Sequence, residues 1–290
     1  MTIVSEQYLD IVTYNRNALN NLRRAVVLGQ GQFSLILARV NYQQLQDILL
    51  TELSEHLQID RVRLDKTTKN LRSAMEQVPL SLEQPPESAD QDRVLMVTGL
   101  EDVPSEGESP SVLETLLRAA NLGRDGLPKR FPYPVVLWVN DTVLQSLNRY
   151  APDLKSFSAT PIRFEYPIRS LIKVLREQAA DTFSQILDTD KGIVLSHRLP
   201  LSSSITEPLA ARELTFALRQ LEQLPKEHLP LVGEELLADL LFLQGRNLHQ
   251  QGELIRARGY YEKSLLQWQQ TSDEATVDSS AAGSSFTDLD

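Results

Sequence analysis

Phe33-Ser-Leu-Ile-Leu-Ala-Arg-Val-Asn41, followed at once by Tyr42-Gln-Gln-Leu-Gln-Asp-Ile-Leu-Leu50, decides the fold. The first part is an apolar run of strand length. The second has helical spacing, with Leu45, Ile48, Leu49 and Leu53 on one side of a helix over about 41–57. A strand that runs straight into a helix opens an α/β unit, and the turn between them is where backbone N–H groups can wrap an anion. That turn holds no glycine and no lysine here, and Ala38 is its one small residue.

Outward from this junction the pattern repeats. Ile59–Leu64 alternates like a strand with one exposed face, and a helix over Lys69–Val78 follows, with Asp65 or Thr67 as its cap. Ser81–Asp92 is proline-rich and acidic and reads as a loop. Arg93–Thr98 and Val135–Val139 are continuous apolar runs, as expected of strands buried on both faces. Between them lie a polar loop, Glu101–Pro110, and a helix, Ser111–Leu122, that cannot pass the glycines and prolines of 123–134. Asp141 can cap a helix over Thr142–Tyr150, and Ile162–Tyr166 makes a fifth, edge-like strand. Such alternation predicts a parallel sheet of about five strands, over about 30–167, with right-handed crossovers and helices on both faces.

Before this region, Ser5–Leu28 reads as one amphipathic helix (residues 1–29), capped by Ser5 and stopped by Gly29, with Tyr8, Leu9, Val12, Leu19, Leu22 and Val26 as its stripe. After Pro167 the spacing is helical through about residue 270, apart from Gly192–Leu195, a short strand or apolar loop. The expected helices are Ile168–Leu187, Glu207–Leu224, Leu231–His249 and Glu253–Gln269. Residues 271–290 have the composition of a disordered acidic tail.

Composition narrows the function classes. Five acids and no base in Thr271–Asp290 account for half of the net charge of −10, so the remainder is only mildly acidic. Nothing in this balance favours a phosphate-binding surface, and nucleic acid is not an expected partner. The absence of cysteine excludes disulfides, thiolate metal sites and cysteine nucleophiles. The N-terminus lacks the pattern of a secretory signal, and no apolar run approaches the roughly 18 residues of a membrane span. A soluble, cytoplasmic protein with no membrane partner is the expectation.

The last helix pair resembles the tetratricopeptide repeat (TPR), a helical hairpin of about 34 residues. Gly245 takes its small position, Leu241 and Leu248 its large ones, Gly252 the turn, Ala257 the small residue of the second helix, Tyr261 its aromatic and Ser264 the next small residue. Gln269 stands where proline is usual. The α/β part resembles the degenerate P-loop-like domain of bacterial signal-transduction ATPases with numerous domains (the STAND class, relatives of AAA+), in particular those that precede TPR helices. The likeness is carried by Pro134-Val-Val-Leu-Trp-Val-Asn-Asp141, Leu144, Leu147, Ala151-Pro-Asp-Leu154 and Ile162-Arg-Phe-Glu165. It implies a degenerate P-loop NTPase-like sheet followed by an all-α, TPR-like region.

A working P-loop also requires glycines around the phosphates, a lysine on them and a Ser/Thr on magnesium. Leu37–Leu45 provides none of these. Arg39 is its only cation, and Gly29 and Gly31 lie before the strand, away from the sheet's carboxyl edge. Thr98-Gly-Leu-Glu101-Asp102 stands where a hydrolytic relative carries magnesium-associated acids, and Asn140 where a polar sensor residue sits. Solvated loop acids and a helix cap are the competing readings, and the cap is favoured for Asn140. His56, His197, His228 and His249 show no metal-ligand spacing. No catalytic residue, metal or cofactor is assigned.

These readings make the protein a non-catalytic adaptor or scaffold that binds a protein partner. Asn247, His249 and Arg256 are the candidate groove residues of the helical region. Arg124, Lys129 and Arg130, beside Phe131 and Tyr133, form a basic loop suited to an acidic partner or to hydrated packing over those rings. A regulatory nucleotide-binding switch with little or no hydrolysis is the alternative. Self-association as a homo-oligomer, through the first helix or the hairpin, is the third.

Overall fold

The computed structural model describes residues 6–77, 92–104, 110–187 and 211–283. The acidic loop expected at 81–92, the Gly192–Leu195 segment and His197 lie wholly or almost wholly outside these residues. Two units are present, Met1–Pro167 and Ile168–Asp290.

Five parallel strands build the first unit: β1 (Ser34–Arg39), β2 (Gln58–Arg63), β3 (Arg93–Thr98), β4 (Pro134–Val139) and β5 (Ile162–Arg163). They lie in the order β2-β3-β4-β1-β5, so β1 and β4 are neighbours although they are far apart in sequence. Leu35 and Leu37 of β1 share one core with Leu95, Val97, Val135, Leu137 and Val139. Helices α4 (Leu71–Glu76), α5 (Val112–Leu122), α7 (Asp141–Tyr150) and α8 (Pro152–Ser156) add Leu71, Met75, Leu113, Leu116, Leu117, Val143, Leu147 and Leu154 to it. Strand residues of the other parity, including Ile36, Ala38, Val136 and Trp138, are also buried. That face carries α2 (Arg16–Leu28), which packs on β1 and β5 and joins α1 (Glu6–Tyr14) against α3 (Gln43–Ser54). The short α6 (Leu127–Arg130), after a 3-10 turn at Arg124–Gly126, fills the stretch before β4.

Several expected boundaries shift, each for a local reason. The first helix divides at Asn15, whose backbone (φ −88°, ψ 5°) leaves the helical range. The buried Asn15 side chain donates to Ile11 O (2.9 Å) and Glu165 O (2.9 Å) and accepts from Glu165 N (3.1 Å). β5 covers two residues instead of the five expected because its partner β1 ends at Arg39, and beyond it the Asn15 side chain takes up the backbone of Glu165. Gly29 ends the helix as expected, with a right-handed backbone (φ −88°). It is required because a Cβ there would lie 2.9 Å from both Pro134 Cγ and Ser34 Cβ. Asn70, not Asp65 or Thr67, caps α4 through Ser73 N (3.1 Å), while Asp65 closes a turn onto Thr67 N (2.8 Å).

In the second unit, α9 (Ile168–Leu187), α10 (Ala211–Glu222) and α13 (Leu254–Gly283) pack on α12 (Glu234–Gln250), and the short α11 (Leu229–Val232) packs on α9. α13 continues to Gly283, past Thr271, where the composition set the start of a disordered tail. Glu274, Ala275, Ala281 and Ala282 favour helix, and no glycine or proline stands between Thr271 and Gly283. No helix among the described residues is long and apolar enough to cross a membrane.

Candidate functional site

In an open parallel sheet, ligands bind outside the carboxyl ends of strands, where the strand order reverses. Here that place is the junction of β1 and β4. The ladder extends past β1 through Val40 N to Val139 O (2.9 Å), and both strands turn directly into helices, α3 and α7. Asn140 caps α7, accepting from Val143 N (2.9 Å), as favoured from the sequence. Asp141 does not cap. Its carboxylate accepts from Arg39 Nε at very close range, from Arg39 Nη2 (2.7 Å) and from Asn41 Nδ2 (3.0 Å). Asn41 Oδ1 in turn accepts from Asp141 N (3.0 Å).

Arg39 and Asp141 keep only 20% and 22% of their side-chain surface exposed, so the pair is mostly out of water. Its hydrogen bond to Asp141 raises the pKa of the Arg39 guanidinium further, and burial opposes this. Two of the amide donors at the start of α7 are already satisfied by Asn41 and Asn140. The carboxylate of Asp141 lies at the positive end of the α7 dipole. An anion arriving here would meet a site that already holds one of the protein's own.

The β1–α3 turn leaves as little room. Tyr42 is extended (φ −128°, ψ 126°), only 5% exposed, and packs edge-on against Tyr166 with ring centroids 5.3 Å apart. Among the described residues the left-handed backbone positions are Gly31, Gly99, Gly233 and Gly252, none of them in this turn. Gly29 sits against Ser34 and Pro134, at the amino ends of β1 and β4, and Gln30 Nε2 reaches Arg93 O (2.8 Å). The glycine pair 29/31 therefore belongs to the opposite edge of the sheet.

At the end of β3, Gly99 (φ 84°) allows the chain to press on β2: a Cβ there would lie 2.2 Å from Leu64 O. The acids that follow are a half-buried Glu101 and an Asp102 that accepts from Arg63 Nη2 (3.3 Å). Asp102 is thereby tied to β2 and not aimed at the β1–β4 junction.

The basic loop is largely committed to structure. Arg124 donates to Asn121 O (2.8 Å) and pairs with Asp153 of α8 (3.5 Å), while Arg130 pairs with Glu76 (3.4 Å). Lys129 is exposed. Phe131 and Tyr133 are buried edge-to-face at 6.0 Å, and desolvation pushes the Tyr133 hydroxyl up to about 12. In the second unit Asn247 and His249 are half-buried, with His249 edge-on to Tyr261 (6.4 Å), and the exposed Arg256 pairs with Glu253 (2.5 Å). The two groups of candidate residues thus lie in different units.

Gly245 carries the α12–α13 contact, since a Cβ there would fall 2.8 Å from the Tyr261 ring and 3.2 Å from Ala257 O. Ala257 and Leu248 are buried, Ser264 donates to Ala238 O (2.8 Å), and Gly252 (φ 81°) makes the turn. Asp239, on α12, is raised to about 6 by burial and then by the neighbouring Glu235.

Sequence reasoning missed one further cluster. Glu52, Glu55 and His56, at the end of α3, bring ligand atoms within 4.8 Å of one another. Glu52 is already engaged by Tyr8 (3.0 Å) and Arg23 (3.2 Å), and burial, then the bond to Glu52, pushes the Tyr8 hydroxyl up to about 12. The cluster thus serves to tie α1 and α2 to α3.

No family model and no curated protein matches the chain. Among solved structures, the ADP form of the Aeropyrum pernix ORC2 protein is similar at 10% identity and a TM-score of 0.34, over 90% of this chain and 70% of that one. Its ADPNP–ADP complexes give 14% identity and a TM-score of 0.30, over 86% and 67%. Likeness this slight carries no weight for function. The fold rests on the observed strand order and register.

Proposed function

We propose that the chain is a non-catalytic scaffold: a P-loop-like α/β platform closed by its own side chains, followed by a TPR-like helical unit that holds a protein partner. The observation that carries this reading is the Arg39–Asp141–Asn41 network at the β1–β4 junction. Phosphoryl transfer depends on a backbone cradle, a lysine and a metal-positioning hydroxyl. In their place the turn has Val40, Asn41 and Tyr42, and a carboxylate stands where phosphate charge would have to sit.

The TPR-like part of the reading is supported by Gly245 against Tyr261, Gly252 at the turn, and buried Ala257 and Ser264. Asn247, His249 and Arg256 are the residues proposed to meet a partner there, and Lys129 with Arg130 are the basic contacts of the platform. A ligand that binds only the folded state raises its melting temperature. Titration with ATP, GTP and ADP, with and without magnesium, is expected to leave it unchanged. A rise of several degrees would overturn the scaffold reading in favour of a nucleotide-binding switch. Affinity capture at mild salt is expected to recover a protein partner that Asn247→Ala with Arg256→Ala releases.

A further inference from the structure

Beyond partner binding, we propose that α13 pairs antiparallel with α13 of a second copy of this chain. Of the large apolar side chains exposed on this helix, Trp268 (42% exposed) falls on the side of Ala257 and Tyr261, and four stand elsewhere: Leu254 (59%), Ile255 (90%), Leu265 (59%) and Leu266 (60%). Between them in sequence lie Arg258 and Glu262, also exposed, with Arg258 Nε donating to Glu262 at 2.7 Å. At about 100° per residue these six side chains share an arc of about 120°. Ala257, Tyr261 and Ser264, which face α12, occupy a different arc of about 60°. Exposed apolar pairs at both ends of one ion pair give this face the make-up of an interaction site.

The order of the six residues identifies the occupant. Leu254 and Leu266 are equidistant from Tyr260, as are Ile255 and Leu265, and as are Arg258 and Glu262. A twofold axis midway between two antiparallel helices, level with Tyr260, therefore brings Leu254 to Leu265 of the other copy, Ile255 to Leu266, and Arg258 to Glu262. Each apolar residue meets an apolar one and each charge meets its opposite, as a self-complementary twofold interface requires. The stripe is electrically neutral, although the chain as a whole carries −10, so pairing here avoids the repulsion that other faces would bring. The paired segment is short, about 18 Å from Leu254 to Leu266. The dimer is accordingly weak and concentration-dependent.

Sedimentation velocity of the full chain over a wide concentration range tests this. The expected result is a monomer–dimer equilibrium that Ile255→Glu weakens by at least about tenfold. Arg258→Glu and Glu262→Arg are each expected to weaken it similarly, because like charges then face each other. The double swap is expected to restore it to near the original value, with circular dichroism unchanged throughout. Because the chain has no cysteine, Arg258→Cys mixed with Glu262→Cys should form a disulfide-linked pair faster than either variant alone. A chain that stays monomeric at every concentration overturns the proposal and leaves the face to another partner. A dimer indifferent to Ile255→Glu, or one that the double swap fails to restore, overturns it as well.

Discussion

The β1–β4 junction and the α12–α13 hairpin both bring together elements that must approach closely, and they do so by opposite means. At the junction, Arg39, Asn41 and Asp141 exchange directional hydrogen bonds between strand ends about a hundred residues apart. In the hairpin, Gly245 has no side chain, so the Tyr261 ring can approach the α12 backbone, and neighbours in sequence do the rest. A polar network of this kind tolerates no missing member, because the partner left behind is buried and unpaired. A small-residue contact tolerates more, because a ring can rotate or shift. The first kind of contact suits a fixed platform, and the second a surface that adapts.

That contrast can be broken at four points, from the largest expected effect to the smallest. The two tryptophans separate the units, since Trp138 is buried in the first and Trp268 belongs to the second. In a Trp268→Phe background, the fluorescence of Trp138 reports unfolding of the sheet alone. There Gly99→Ala should destabilise by about 3 kcal/mol or more, since its Cβ would meet the backbone carbonyl of Leu64 and its φ is positive. Backbone cannot step aside. Asp141→Ala should cost about 2–3 kcal/mol in the same assay, by stranding Arg39 and freeing Asn41. A loss below about 0.5 kcal/mol, the range of an ordinary surface change, would show that the junction is not held by this network.

Gly245→Ala in the hairpin should cost only about 1 kcal/mol. The clash with Tyr261 is with a side chain, and alanine gains in helix propensity what glycine lacks. Followed in a Trp138→Phe background, a loss as large as that of Gly99→Ala would erase the distinction between the two regions. The smallest effect concerns pH. The Asp239 pKa is raised to about 6 from 3.8, so the folded unit binds a proton that the unfolded chain releases. Its stabilising contribution is complete below about pH 4 and is lost as pH rises through about 6. With solvent screening this amounts to about 1 kcal/mol. Asp239→Asn should therefore flatten the stability of the helical unit between pH 4 and 6 and raise it at pH 7.

The strands and most helices were legible because burial imposes a period that survives in any single stretch of sequence. Leu35–Ala38, Val94–Val97 and Pro134–Val139 are apolar throughout because both faces of a central strand are covered. The absent phosphate loop was equally legible, because a cradle needs glycine and lysine at fixed offsets and none stands there. The hairpin's small positions could be read too, since its contacts lie within one repeat length. Asn15 could not be read, because its partner is the backbone of Glu165, 150 residues away. The same holds for Asp141, which looked like a cap and serves as the counter-ion of Arg39.

By itself, then, the sequence determined an α/β sheet of five parallel strands with a helical continuation, and a β1–α3 turn with no means of wrapping a phosphate. Local composition and periodicity suffice for both. Only the tertiary structure decided the strand order that sets β1 beside β4, and with it the meeting of Arg39, Asn41 and Asp141. It also decided that Tyr42 covers the turn and that one side of α13 is left in water. The junction and its cover depend on residues of the first unit that are a hundred or more positions apart, and contacts between distant residues leave no period for a sequence to display.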